Sequence, residues 1–263
     1  MSKINIAFGV TKDWLKYTYV TICSILLNAS PEDEYNFYIL CDQPDENFEQ
    51  IRKKLQNIYP YPCPKSNYHF IKMNNSDFYG VIHDTRVGVS ASYRLKLPSL
   101  VKEDKILYLD SDLVVLGDIK ELWEYDINDY LIGAVEDKYS EMMACHANLP
   151  EGSIYINSGV MLMNLKKFRQ TGLETVIFNK LRENNTYSDQ DVINDICQEQ
   201  ILYLPLKYNL MVLRGDTNSF PNRREEFETS LLSPFIIHYT IKPWILPVQY
   251  SEYWIKYAKL LGF

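Results

Sequence analysis

The 263-residue sequence has little glycine, ten residues in all, and none of the glycine-rich patterns that cradle phosphates. Gly-x-x-x-x-Gly-Lys and Gly-x-Gly-x-x-Gly do not occur, nor do Gly-x-Ser-x-Gly and His-Glu-x-x-His. These absences exclude a P-loop, a dinucleotide fingerprint, a hydrolase nucleophile elbow and a zincin helix. Positive charge is also scarce: 27 Lys and Arg stand against 34 Asp and Glu, a net charge of -7. That balance disfavours broad phosphate-backbone binding, so no nucleic-acid partner is expected, although a local cationic site for a small anion fits. The five cysteines (Cys23, Cys41, Cys63, Cys145, Cys197) are odd in number and lack any Cys-x-x-Cys pair. Neither a zinc knuckle nor a disulfide framework follows, and the thiols read as reduced in a cytoplasmic protein. The longest uncharged stretch, Tyr17 to Pro31, is too short for a membrane span and carries Thr, Ser and Asn, so no stable membrane insertion is expected. No leader is expected, because Met-Ser-Lys passes at once into strand-like sequence.

What is present alternates between strand and helix patterns. Ile4–Val10, Phe37–Cys41 and Tyr68–Met73 read as strands, and Trp14–Asn28 has helical length before Ser30-Pro31. Phe48, Ile51, Leu55 and Ile58 recur at helical spacing, and Pro60, Pro62 and Pro64 mark a loop. Ser90–Val101 looks helical, with Pro98 expected to kink or end it. Ile106–Leu109 is uniformly apolar, as a central parallel strand covered on both faces would be. Leu131–Val135 and Val160–Leu165 read as further strands, Leu173–Glu183 and Asp189–Cys197 as helices. Beyond about residue 200 the pattern breaks into short strands and loops. The alternation predicts an open α/β sheet. Tyr250, Trp254, Tyr257 and Leu261 recur at helical spacing and read as a terminal helix packed on the core.

Four segments could carry chemistry. Asp110-Ser111-Asp112 follows directly on the apolar strand, where open α/β sheets bind ligands, and two carboxylates so spaced can hold one hard cation. The spacing alone says little: a chain with 17 aspartates yields about one such pair by chance, and Asp189 and Asp191 form a second. A solvated strand end is the competing reading. His238 and Lys242 follow the strand Phe235–Ile237; each is either a ligand-side group or an ordinary strand-end residue. Asn157-Ser158-Gly159 either presents hydrogen bonds to sugar hydroxyls or makes a common turn. Ser188-Asp189-Gln190-Asp191 opens a helix, so Ser188 or Asp189 also reads as an N-cap.

Together these segments say more. The ordered set Leu-Tyr-Leu-Asp-Ser-Asp (107–112), Tyr-Ile-Asn-Ser-Gly-Val-Met-Leu-Met-Asn-Leu (155–165), Asp-Gln-Asp (189–191) and His-Tyr-x-x-Lys-Pro-Trp (238–244) resembles glycosyltransferase family 8, from Ile4 to about Trp244. Glycogenin and the bacterial lipopolysaccharide galactosyl- and glucosyltransferases belong to that family. The resemblance implies an α/β fold of GT-A type, a single Rossmann-like open mixed sheet flanked by helices. It implies one domain over 1–263, with a nucleotide-binding half over about 1–115 and acceptor-side and closing segments over about 116–263. It also implies a retaining, metal-dependent transferase that takes a UDP-hexose as donor and a glycan or other hydroxyl as acceptor. Manganese, or magnesium, would be bound by Asp110, Asp112 and His238. Phe8, Gly9 and Thr11 match the strand end that grips uridine, Ser111, between Asp110 and Asp112, counts with Asp110 among the donor-binding residues, and Lys242 matches the contact to the diphosphate. Arg94 matches an arginine on the donor sugar; Asp137, Asn157 and Ser158 match the sugar and acceptor pocket; Asp189 and Gln190 match the pair near the reacting carbon. This sequence departs from the family pattern in having Ile241 for a common glycine and a His238–Lys242 loop two residues shorter than in glycogenin.

A cation and Lys242 would spread the leaving diphosphate's charge. Retaining glycosidases use a carboxylate nucleophile. Here that position falls to Gln190, a feeble nucleophile, which favours same-face transfer over double displacement. Two rival classes are a nucleotidyltransferase, which would carry a glycine-rich triphosphate loop, and a catalytically silent nucleotide-sugar or glycan binder. Nothing in the pattern fixes the hexose, the acceptor or an oligomeric state.

Overall fold

The computed structural model describes residues 1–58, 63–81, 88–184, 186–211 and 220–263. Of the expected proline loop, Pro60 and Pro62 lie outside the described residues. The strands are β1 (Lys3–Val10), β2 (Glu34–Cys41), β3 (Lys65–Lys72), β4 (Ile106–Leu109), β5 (Leu113–Val115), β6 (Ile132–Glu136), β7 (Ile156–Met163), β8 (Ile201–Tyr203), β9 (Leu210–Met211) and β10 (Ile236–His238). The helices are α1 (Leu15–Asn28), α2 (Phe48–Asn57), α3 (Leu97–Leu100), α4 (Lys120–Trp123), α5 (Ser140–His146), α6 (Leu165–Thr171), α7 (Leu173–Glu183), α8 (Asp189–Cys197), α9 (Arg224–Leu232) and α10 (Ser251–Leu261).

Seven strands form one mixed sheet in the order β3-β2-β1-β4-β7-β6-β8. β1 to β4 are parallel, β6 and β8 are parallel to each other, and β7 runs antiparallel to both its neighbours. β4 is buried along its whole length as its apolar run predicts, but it is parallel only to β1 and antiparallel to β7. The reversal of β7 matters for position. Its first residues lie at the edge where β1, β4 and β6 end, so the backbone N–H of Asp110 donates to the Gly159 carbonyl at 2.8 Å.

Two local expectations are corrected. Asn157, Ser158 and Gly159 lie inside β7, not in a turn before it. The register with β6 slips between Ala134 and Val135, whose partners pass from Met161 to Asn157. A bulge of this kind re-aims side chains within a strand, and the turn-like Asn-Ser-Gly composition reflects it. The segment expected as one helix over 90–101 is a run of 3₁₀ turns, Val89–Lys96, followed by α3. Pro98 sits in the first turn of α3, where no N–H is needed, so it helps start that helix rather than end one.

β1 alternates sides: Ile4, Ile6 and Phe8 enter the apolar cluster shared with α1, β5 and α10, and Ala7 enters the cluster on the opposite face. A second, three-stranded sheet has the order β5-β10-β9. Asp110, Ser111 and Asp112 are therefore the link between two sheets, and β10 lays His238 against Leu113. α1 is buried on several sides and pins this link with polar groups. Thr21 Oγ1 donates to the carbonyls of Ser111 (3.1 Å) and Leu113 (2.8 Å), and Ser24 Oγ accepts the N–H of Val115 at 2.9 Å. Asn28 Nδ2 donates to the Val115 carbonyl at 2.9 Å. The backbone groups along β5 thus find partners on a helix. α10 buries Trp254, Tyr257 and Leu261, and no described helix is long and apolar enough to cross a membrane.

Candidate active site

A cavity of about 460 Å³ opens at this edge of the large sheet, walled by Gly9, Val10, Trp14, Arg94, Asp110, Asp112 and Lys242 among others. Asp110, Asp112 and His238 each offer one ligand atom, and these atoms lie within 4.8 Å of one another. His238 Nε2 is 3.4 Å from Asp112 Oδ1 and 3.9 Å from Asp110 Oδ2. The approach depends on Gly159: a Cβ there would stand 2.5 Å from His238 Cε1 and 2.8 Å from Asp110 Oδ2. Two carboxylates and an imidazole form a donor set suited to a divalent cation, so the residues fit the metal that the family resemblance implies. Lys242 Nζ contacts Asp112 Oδ2 and donates to the Tyr239 carbonyl at 3.0 Å. Burial alone would raise the Asp112 pKa, but the neighbouring His238 and Lys242 outweigh it and hold this carboxyl well below the usual carboxylate range.

Arg94 is the hub of the opposite wall. Its guanidinium is only 3% exposed and lies over the Tyr108 ring, 4.3 Å from the centroid. Nε donates to the Ala91 carbonyl at 2.7 Å, Nη1 donates to the carbonyl of Ser158 and, at 3.0 Å, to its Oγ, and Nη2 donates to Asp110 Oδ1 at 3.1 Å. Four of its five N–H groups are therefore spent inside the protein, which leaves one for a ligand. Burial opposes its charge, but Asp110, Tyr108 and Asp189 more than compensate, and its pKa rises. Tyr108 donates to the same Asp110 Oδ1 at 2.9 Å.

The Asp189–Asp191 segment divides its labour. Ser188 is the N-cap of α8, and Asp191 closes the capping box. Asp191 also accepts from the Tyr155 hydroxyl at 2.6 Å. Asp189 Oδ2 lies 3.0 Å from Arg94 Nε, yet that N–H points to Ala91, so the buried oxygen lacks an aligned hydrogen bond. Burial raises the Asp189 pKa, and Arg94 only partly opposes the rise. Gln190 Oε1 accepts from Ser158 N (2.9 Å) and Ser158 Oγ (3.0 Å). Asp137 Oδ2 accepts from Asn157 Nδ2 at 3.0 Å.

The remaining candidates separate. Gly9 lines the cavity, while the Phe8 ring is fully buried in the core and leaves only backbone at the strand end. Thr11 precedes the 3₁₀ turn Lys12–Trp14, whose Trp14 forms the wall. Ser111 lines the cavity and shares a 2.8 Å hydrogen bond with Thr18. Two groups have no signal in the sequence. Tyr108 looks like any strand aromatic. Asn209, 1% exposed, bonds His238 Nδ1 through Oδ1 at 2.9 Å and donates from Nδ2 to Asn157 Oδ1 at 2.9 Å.

The family described as Glycosyl transferase family 8 matches residues 5–245. General stress protein A of Bacillus subtilis is 26% identical over 236 residues, covering 84% of this chain and 80% of the relative. Lipopolysaccharide 1,2-glucosyltransferase of Escherichia coli K12 is 29% identical over 270 residues, covering 98% and 77%. Among solved structures, the galactosyltransferase LgtC in complex with donor and acceptor sugar analogs superposes with a TM-score of 0.77 at 24% identity, covering 99% of this chain and 97% of that one. That likeness makes the fold GT-A in type.

Proposed function

The chain belongs to glycosyl transferase family 8, and from that premise we propose that it moves a hexose, glucose or galactose, from a UDP-sugar to a hydroxyl of a glycan-type acceptor, with retention at the anomeric carbon. In this reading Asp110, Asp112 and His238 hold manganese or magnesium. The observation that carries it is the meeting of those three ligand atoms within 4.8 Å, with Asp110 and Asp112 lining a cavity together with Lys242 and Arg94. When bound, the cation would supply Lewis-acid neutralisation of the diphosphate.

The chain's own groups do the rest. Residues 1–115 bind the nucleotide at the strand end around Gly9; residues 116–263 supply the acceptor side and the closing segment with Lys242. The bond from the anomeric carbon to the β-phosphate oxygen breaks and a bond to the acceptor oxygen forms on the same face. The acceptor proton passes to the departing phosphate oxygen. Lys242 exchanges Asp112 for that oxygen, where its charge is worth most as the leaving group separates. A double displacement would need a nucleophile, and Gln190 Oε1 is already occupied by two donors from Ser158. Asp189, set behind Arg94, steadies the positive charge that develops on the sugar. The names of the glucosyltransferase and galactosyltransferase relatives support a hexose donor and a glycan acceptor. A cytoplasmic setting is supported by five unpaired cysteines.

The test is release of free UDP across a panel of nucleotide sugars, with manganese, magnesium or chelator. UDP from one UDP-hexose, abolished by chelator, is the expected result. Pyrophosphate instead of UDP would make the protein a nucleotidyltransferase, and binding without release would make it a silent binder.

A further inference from the structure

The hydrogen bonds behind His238 have a direction that can be derived atom by atom. The backbone N–H of Gly159 can only donate, and it points at Asn157 Oδ1 at 3.0 Å. At the other end of the same amide, Asn157 Nδ2 meets the Asp137 carboxylate at 3.0 Å. Both neighbours fix the same orientation of Asn157, since the flipped amide would set donor against donor and oxygen against oxygen. Asn157 Oδ1 then requires a donor from Asn209, and Asn209 Nδ2 supplies it at 2.9 Å. That leaves Asn209 Oδ1 facing His238 Nδ1 at 2.9 Å. A carbonyl oxygen only accepts, so Nδ1 carries the hydrogen.

We infer that Asn209 is a positioning residue: it holds the neutral His238 ring as the Nδ1–H tautomer and so turns the Nε2 lone pair towards Asp110 and Asp112. The competing tautomer would put a hydrogen on Nε2. Its nearest acceptor there, Asp112 Oδ1, is 3.4 Å away, beyond a good hydrogen bond, and it would leave two lone pairs opposed at 2.9 Å on the Asn209 side. The choice matters because an Nε2–H would fill the space that a cation needs. The inference deepens the proposed cation site and rests on it for its purpose, but the tautomer itself is defined without any metal. Through Asn157 the relay also ties this ring to Asp137, so the chain from Asp137 to His238 has one fixed hydrogen-bond direction.

The test is long-range proton–nitrogen NMR on the chelator-treated protein in alkaline buffer. The chain has four histidines, and His238→Gln identifies the signal of interest. Wild type should show the Nδ1–H pattern for His238, and Asn209→Leu should lose it. Manganese affinity measured by calorimetry should fall about 10- to 100-fold in Asn209→Leu. Asn209→Asp, which keeps an acceptor opposite Nδ1, should retain the pattern. An Nε2–H pattern in wild type overturns the inference even if no variant folds, as does an unchanged pattern in Asn209→Leu. Failure of wild type to bind manganese while showing Nδ1–H would sink the cation reading and leave the tautomer assignment standing.

Discussion

Asp110–Asp112 and Asp189–Asp191 have the same spacing and opposite fates. The first pair sits on a short bent link between two sheets, and its carboxylates converge on one imidazole, 3.9 and 3.4 Å away. The second pair opens a helix, where successive residues turn about 100° apart. There Asp189 lies beside Arg94, while Asp191 serves Ser188 and Tyr155. Burial shows the same contrast: Asp112 is buried beside His238 and Lys242, which hold its pKa down, and Asp189 is buried with too little compensation, so its pKa rises. Backbone conformation, not spacing, gathers one pair around an imidazole and makes the other a cap with a buried acid.

The sharpest way to test that contrast is Asp112→Asn. It should lower cation-dependent UDP release about a thousandfold, the upper end for removal of one charge-stabilising group, and weaken manganese and UDP binding together. Calorimetry showing unchanged manganese-dependent UDP affinity would mean that the first pair is not a shared site. Next comes Lys242→Ala, with kcat down about a hundredfold and KM changed much less. If KM rises while kcat holds, Lys242 contributes only uniform binding. For the second pair, Asp191→Ala should cost about 2 kcal/mol in denaturant unfolding, through the lost cap and an unpaired Tyr155 hydroxyl, with turnover near wild type. A loss of activity without loss of stability would make Asp191 part of the chemistry.

The smallest expected effect is in acid. Asp189 binds its proton more tightly in the fold than in the unfolded chain, where an aspartate titrates near about 4. Between that pH and the raised value the native state holds more protons, so its stability falls as pH rises. Wild type should therefore gain stability relative to Asp189→Asn as pH is lowered through this window. A pH-independent difference between the two would show that Arg94 compensates Asp189 fully.

Elements with long apolar patterns were legible in the sequence: β1, α1, β2, α2 and β4 lie where burial-driven periodicity puts them. Of the β5-β10-β9 sheet only β10 was legible, as the apolar run Phe235–Ile237; β5 and β9, of three and two residues, show no period, and the sheet's partners lie far apart in the chain. Asn157–Gly159 carries turn composition, yet neighbours on both sides hold it in a bulged strand. At the site, strand ends singled out Asp110, Asp112, His238 and Lys242, but an ordinary reading stood beside each, and only the ordered set of motifs and its family resemblance assigned them roles. Arg94 could be named but not its internal role, since only the fold reveals how many of its hydrogens are already used. Asn209 was invisible, because a buried amide that orients a histidine has no local sequence pattern.

The pairing of β5 with β10 also imposes a timetable on the molecule. Leu113 leaves the ribosome long before His238, its partner in that ladder. A nascent chain can begin to assemble the parallel strands from its N-terminal part while the aspartate link waits without His238. The cluster of Asp110, Asp112 and His238 closes only through this long-range contact, the kind that carries the greatest loop-closure cost. A chain released early, before residue 238, could hold much of its large sheet and still be inert. Catalytic competence would then report that synthesis has run past His238 and Lys242.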